Sequence, residues 1–244
     1  MNLFLLDLSL WRFPASLILG VAFLLALWAA DHYFGSSRVC RTLTATRTAI
    51  LLITCLAAVL VVEGIWAWGL YHTWPFVLLV GLLAASLGLI VLRGFRARRD
   101  ASFLLNHTGL FLILWGALFG APDVMQGRMI VRTGQSESLA YTVQGEIIPL
   151  PFTVHLNRFT VDYYDDGITP RQFRSELHLD NTAAQVEVNA PVHYAGYTLY
   201  QDGYDTQHGS YTVLLVVRDR WLWVVWLGVA LLAAGALLLL IQRR

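Results

Sequence analysis

Lysine is absent from this chain of 244 residues: all 17 basic side chains are arginine, and nothing in the sequence itself explains the bias. The net charge of +1 is too small to point to nucleic acid as a partner. Charged residues of any kind are scarce, at 14%. There are only two cysteines, Cys40 and Cys55, and their separation matches no CxxC, CxxCH or zinc-type spacing. A thiol–disulfide relay and c-type haem attachment to this chain are thereby disfavoured. No Gly-rich phosphate loop, HExxH helix, paired acid dyad or Ser/His/Asp order stands out. His155, His178, His193 and His208 lack ligand spacing and are expected to be surface or strand residues. By itself the chain offers no enzyme active site.

What the chain has in abundance is apolar surface. Hydrophobic residues make up 57% of it, with nine tryptophans, a composition that belongs to a polytopic membrane protein. About 17–25 apolar residues cross the hydrocarbon layer. Five segments qualify: about Pro14–Ala30, Ala49–Leu70, Pro75–Leu92, Ser102–Gly120 and Leu222–Ile241. Pro14 and Pro75 suit first helical turns, where a missing N–H costs nothing. The N-terminal MNLFLLDLSLWRFPASLIL lacks a basic region and an A-x-A-like site, so it reads as an uncleaved lead-in to the first span.

Arginine placement orients the spans. Arg38, Arg41 and Arg47 lie in the first link, Arg93, Arg96, Arg98 and Arg99 in the third, and Arg243 and Arg244 at the C-terminus. The link around Tyr71–Trp74 has none. The positive-inside rule makes the arginine-rich links cytoplasmic and puts the N-terminus and residues 121–220 outside. Trp66, Trp68, Tyr71 and Trp74, and Trp221, Trp223 and Trp226, then form aromatic belts at the outer interface. The expected organisation is a four-span region over 1–120, an extracytoplasmic domain over 121–220, and a fifth helix with a cytoplasmic tail over 221–244.

The domain between spans four and five has strand texture. FTVHL at Phe152–Leu156 alternates apolar and polar residues, as do SELHL and QVEVN, and SYTVLLVVRD leads into span five. Turn signals fall at Asp165-Asp166-Gly167, Asp180-Asn181, Tyr194-Ala195-Gly196 and His208-Gly209. The fold class expected is a five-helix polytopic α-helical membrane protein carrying a small all-β extracytoplasmic domain, sandwich-like, between helices four and five.

Inside span four, ASFLLNHTGLFLILWGALFG, sits His107, about 6–9 Å along the axis from its start. An ionisable side chain in a membrane helix is costly and by default functional. Three readings stay open: an interfacial histidine beside Asn106 and Thr108, a histidine bonded to a neighbouring helix carbonyl, and a haem axial ligand. Gly109, Gly116 and Gly120 would admit a flat macrocycle or another helix, with helix packing the better use of the last two. Glu63, near the outer end of span two, suits structural or assembly use, protonated or paired with an arginine of another subunit. His72 reads as an exposed interfacial histidine, with an outer haem ligand as the alternative. Asp31-His32 reads as a solvated polar cap.

ASFLLNHTGLFLILWGALFG, then NAPVHYAGYTLYQDGYD at Asn189–Asp205, then a return strand ending in VVRDRWLWVVWLGVALLAAG, resemble the ResB (CcsB) family of cytochrome c biogenesis proteins. The specific pattern is carried by Asn189, Pro191, Gly196, Tyr197, Leu199, Tyr200, Gln201, Gly203, Tyr204 and Asp205. The resemblance covers about Trp74–Gly235 and is nearest to compact versions with an additional N-terminal span. It implies the system II pathway, in which such a chain and a ResC (CcsA)-type partner move haem to the outer face and join it to apocytochrome c. It also maps the family's intramembrane haem-ligand histidine onto His107. The partner's tryptophan-rich WWD motif is absent, and Trp66-Ala-Trp68 does not match it.

The expected function is therefore an accessory subunit of a cytochrome c synthase in the bacterial cytoplasmic membrane, its β domain on the periplasmic face. Haem b would be cargo, held jointly by His107 and a histidine of the partner. The alternatives are a scaffold that stabilises the partner without ligating haem, and a transmembrane thiol reductant, which Cys40 and Cys55 argue against.

Overall fold

The computed structural model describes residues 11–205 and 209–242, together with the backbone but not the side chain of His72. The expected lead-in at residues 1–10, His208 and the arginine pair at 243–244 lie outside the described residues. The chain divides into two compact units. One is helical and runs up to Asp123 and again from Arg220; the other is Val124–Asp219.

The helical unit contains α1 (Ala15–Phe34), α2 (Arg38–Leu43), α3 (Thr46–Trp66), α4 (Trp74–Arg96), α5 (Ala101–Gly120) and α6 (Leu222–Gln242). Five of these are long and apolar enough to cross a membrane, so the chain is a multi-pass membrane protein. The short helix α2 was not expected. The Ser37 hydroxyl accepts from Cys40 N–H at its first turn, which lets six residues of a link form a capped helix. The second span stops four residues early, because Ala67 turns into the left-handed region at φ 48°. Helix α4 is the most enclosed span and α3 the least. A buried cluster of Leu27, Leu89, Val91, Phe111 and Cys40 joins α1, α2, α4 and α5.

Helices α5 and α6 run antiparallel at backbone contact. A Cβ added at Gly109 would lie 2.6 Å from the Gly228 carbonyl oxygen, and one at Gly228 would lie 2.7 Å from that of Gly109. Gly116 faces Val224 and Val225, Gly120 faces Trp221, and Gly235 faces Asn106. Without a hydrophobic drive between helices in lipid, such small-residue rows permit the close van der Waals packing that holds spans together.

The second unit is one antiparallel sheet of eight strands: β1 (Met125–Arg132), β2 (Ser136–Tyr141), β3 (Ile147–Tyr163), β4 (Pro170–Leu179), β5 (Thr182–Glu187), β6 (Val192–Tyr194), β7 (Tyr197–Tyr204) and β8 (Tyr211–Arg218). Their order is β5-β4-β3-β2-β1-β8-β7-β6. The two end strands follow each other in the chain and are joined by a tight turn: Glu187, the last residue of β5, and Ala190, two residues before β6, exchange both backbone hydrogen bonds at 3.1 Å. The result is a nearly closed barrel rather than the expected two-sheet sandwich. Register shifts at Glu137/Leu139, Leu156/Arg158 and Gln201/Gly203 supply the bends that let one sheet curl on itself. Alternate residues point inward, with Met129, Val131, Val154, Leu156, Leu177, Leu179, Leu199 and Leu214 buried together. The buried hydroxyls of Ser175 and Thr212 bond to each other and to Gln201 at 2.7–2.9 Å, so the interior has a satisfied polar patch.

Candidate functional site

Helix α4 ends in a Schellman-type turn: Arg98, in the left-handed region at φ 50°, donates to Phe95 O, and Arg99 N–H reaches back to Gly94 O at 3.0 Å. Asp100 then starts α5, accepting from Leu104 N–H at 3.0 Å through its backbone carbonyl. Two turns later comes His107. Its Nδ1 lies 2.8 Å from Phe103 O. A carbonyl oxygen only accepts, so Nδ1 carries the proton, and in the neutral imidazole Nε2 holds the lone pair. Nε2 has no hydrogen-bond partner among the described residues. The Phe103 ring stacks on the imidazole at 3.9 Å between centroids, fixing its plane.

Position around the helix separates His107 from its neighbours. Ser102, Asn106, Gly109, Ile113, Gly116 and Gly120 form one stripe, and the contacts above place it against α6. With successive residues about 100° apart, His107 is turned about 140° from the centre of that stripe. It is half-exposed, and Leu110, one turn on, is exposed. Gly109 is occupied by α6, so no macrocycle approaches through it. That is the helix-packing use, extended to the one glycine for which it had not been favoured. The carbonyl that His107 meets belongs to its own helix, not a neighbouring one.

Asp31 corrects the expectation of a solvated cap. Its side chain is 1% exposed; Arg93 Nε donates to Oδ1 at 3.0 Å, and Arg96 Nη2 pairs with Oδ2 at 2.8 Å without hydrogen-bond geometry. Arg93 also donates to Thr44 Oγ1 and Gly35 O, both at 2.8 Å. One guanidinium thus ties α1, the α2 end and α4 together. His32 beside it is exposed and stacks on Trp28 at 5.2 Å. Glu63 is structural in an unforeseen way: its two oxygens accept from Gly69 and Leu70 N–H, both at 2.9 Å, so its partners are backbone amides of its own loop. That carboxylate orders the turn carrying the stacked Trp66–Trp68 pair, 5.6 Å between centroids. The side chain of His72 lies outside the described residues.

At the other end of the bundle Asp123 is a hub that sequence inspection missed. It accepts from Phe13 N–H at 2.5 Å, Ser16 Oγ at 2.6 Å and Trp221 Nε1 at 2.6 Å. Trp221 is buried against Trp115, so of the three expected belt residues there only Trp223 and Trp226 are exposed. An aspartate three residues past a span, next to proline, carries no signal that it will gather three segments.

In the barrel the histidines are scattered. His155 bonds Ser136 Oγ at 2.9 Å, Asn157 Nδ2 donates to His178 Nδ1 at 2.6 Å, and His193 meets Thr198 Oγ1 at 2.9 Å. No group of three metal-ligating side chains exists among the described residues. The Arg174 guanidinium, donating to the Glu187 carboxylate at 2.7 Å, holds that carboxyl below its ordinary value, helped by Gln172 and Gln185. The Thr169 hydroxyl and two backbone amides do the same for Asp166. Both are turn and edge braces.

The long motif from Asn189 to Asp205 turns out to be architectural. Asn189 takes φ 64°, a left-handed value that asparagine tolerates. Ala195 and Gly196, at φ 49° and 80°, make the two-residue turn of the β6–β7 hairpin. Tyr197 and Leu199 are core, Gln201 satisfies the buried hydroxyls, and Tyr204 packs on Phe159 and Phe173 at 5.0 and 4.7 Å. His107, by contrast, is half-exposed and unused by the packing through its Nε2.

Comparison with known proteins follows the same lines. Residues 96–213 match the ResB-like family, a stretch that takes in Arg99, His107 and most of the barrel. The cytochrome c biogenesis protein CcsB of Thermosynechococcus vestitus is 33% identical over 104 residues, covering 39% of this chain and 23% of that protein. The chloroplastic cytochrome c biogenesis protein CCS1 of Arabidopsis thaliana is 30% identical over 129 residues, or 46% of this chain and 22% of that protein. The matched stretch thus spans less than a quarter of the length of these curated relatives. A solved cytochrome c haem lyase, CcmF, aligns with 93% of this chain and 45% of its own at a TM-score of 0.40 and 16% identity, a likeness too loose to bear on function. With its motif residues accounted for by the barrel and its matched segment beginning at the α4–α5 turn, the stretch 96–213 belongs to the ResB-like family.

Proposed function

We propose that this chain is a haem-handling subunit in cytochrome c biogenesis, in which Nε2 of His107 gives the iron of a haem b cargo one axial ligand. One observation carries the reading. The Nδ1–H bond to Phe103 O fixes the tautomer that leaves Nε2 free, which is how protein imidazoles are prepared for metal. The names of the CcsB and CCS1 relatives support the biological setting. The stripe opposite His107 is filled by α6, so the second axial ligand comes from another chain, a ResC (CcsA)-type membrane protein with a WWD motif. The arginine-rich α4–α5 link lies on the cytoplasmic side, so His107 sits near the cytoplasmic entrance of a haem path in the bacterial inner membrane. The barrel lies on the periplasmic face, where apocytochrome c is met. Thioether formation falls mainly to the partner, and this chain is accessory to it.

The test is co-expression with such a partner. The complex is expected to purify with b-type haem absorbance; His107→Ala should lose the haem of this site, and His107→Cys should retain haem with a shifted spectrum. Full haem content and normal cytochrome c maturation in His107→Ala would overturn the assignment. The chain would then be a scaffold, a reading supported by the architectural role of the family motif.

A further inference from the structure

Four arginines crowd the α4–α5 turn, and two of them are consumed: Arg93 and Arg96 are held by the buried Asp31. Arg98 and Arg99 have no ion-pair partner among the described residues. Only Arg99 touches the His107 stack. Its guanidinium carbon lies 5.8 Å from the Phe103 ring centroid, and Phe103 in turn stacks on the imidazole. Phe103 and His107 lie one turn apart on the same face of α5, and Arg99 stands in the turn just before that helix, four residues ahead of Phe103. The backbone of Arg99 is pinned by its hydrogen bond to Gly94 O, so the side chain starts from a fixed point. A guanidinium lying over an aromatic face keeps its N–H groups directed outward in its own plane, where they can grip a carboxylate.

From the ladder Arg99–Phe103–His107 we infer that Arg99 is the residue that recognises the anionic edge of the ligand whose metal His107 binds. The ligand class is a metallated macrocycle bearing carboxylates, and the inference rests on the haem reading above. Phe103 is a positioning residue: its ring sets the imidazole plane and supports the guanidinium. Iron and carboxylates would thus be read by one side chain of α5 and one of the turn that precedes it, which orients the macrocycle edge-first toward the arginine-rich end. Any carboxylate-free analogue would be bound by its metal alone.

The experiment titrates the purified complex, stripped of haem, with haem and with its dimethyl ester, following the axial-ligand absorbance. The wild type is expected to bind the free acid about tenfold more tightly than the diester, the effect of one charge-assisted hydrogen-bonded pair. Arg99→Gln should bind both with the diester's affinity and an unchanged axial spectrum, Arg99→Lys should recover part of the preference, and Arg98→Gln should keep all of it. Equal binding of acid and diester by the wild type, with haem ligated normally, overturns the role of Arg99 and leaves His107 standing. A preference that survives Arg99→Gln or vanishes in Arg98→Gln also overturns it. Failure of the wild type to bind either compound overturns the haem reading itself.

Discussion

Replacing Gly109 by alanine should separate α5 from α6 where the two backbones touch. The new methyl would lie 2.6 Å from Gly228 O and 2.9 Å from Leu232 N. Both obstacles are backbone, so the clash is relieved only by moving a helix. Overpacking of this kind costs about 1–3 kcal/mol, and the rigid obstacle argues for the upper half of that range. Alanine returns up to about 1 kcal/mol of helix propensity, leaving a net loss of about 2 kcal/mol. Gly81 in α4 is the control, because a Cβ there meets nothing within 4 Å and should bring only the propensity gain. For a chain of this size, 1 kcal/mol moves the melting temperature by roughly 2–4 °C. Melting of the detergent-solubilised full chain should therefore drop by about 4–8 °C in Gly109→Ala and hold or rise in Gly81→Ala. Gly228→Ala should behave like Gly109→Ala, since its methyl would meet Gly109 O at 2.7 Å. Equal melting of Gly109→Ala and Gly81→Ala would mean that the backbone contact is not made. The stripe that leaves His107 facing away from α6 would then lose its support.

The Asp31 node and the topology give two more tests. Arg93→Ala, which leaves a carboxylate of 1% exposure with Arg96 alone, should cost about 3–5 kcal/mol, and Asp31→Asn about 1–3 kcal/mol. The double variant Asp31→Asn/Arg93→Ala should cost clearly less than the sum, and strict additivity in the melting cycle would show that the pair is not coupled. For the topology, a periplasm-active reporter should be silent when fused after residue 97 and active after residue 170; the same side for both would mean that α5 does not cross, and the reverse pattern would invert the proposed haem path.

How much of this was legible beforehand depends on the range of the interaction concerned. The spans were, because burying backbone in lipid demands a long apolar helix wherever one is found, a property of single segments. Their ends were less so: Ala67 terminates α3 by a backbone turn that alanine does not advertise. Strands β3, β4, β5 and β8 alternate and were visible, whereas β7 was seen only as part of the family motif, and its bulge against β8 at Gln201/Gly203 was not. Closure of the sheet was invisible, since alternation says which face is inward and nothing about whether a sheet is split or curled. His107 was visible as a polar group in an apolar run, and the resemblance gave it a role.

What the sequence alone determined is thus the local chemistry: five spans, an all-β insertion, and one histidine out of place in a membrane helix. Tertiary structure decided who meets whom. Asp31 and Asp123 look like ordinary polar ends of helices until distant segments bring arginines to one and Ser16, Phe13 and Trp221 to the other. The tautomer of His107 and its place off the α6 stripe depend on rotamer and helix phase. Those are set by packing against neighbours that lie far away in the chain, and no window of sequence contains them.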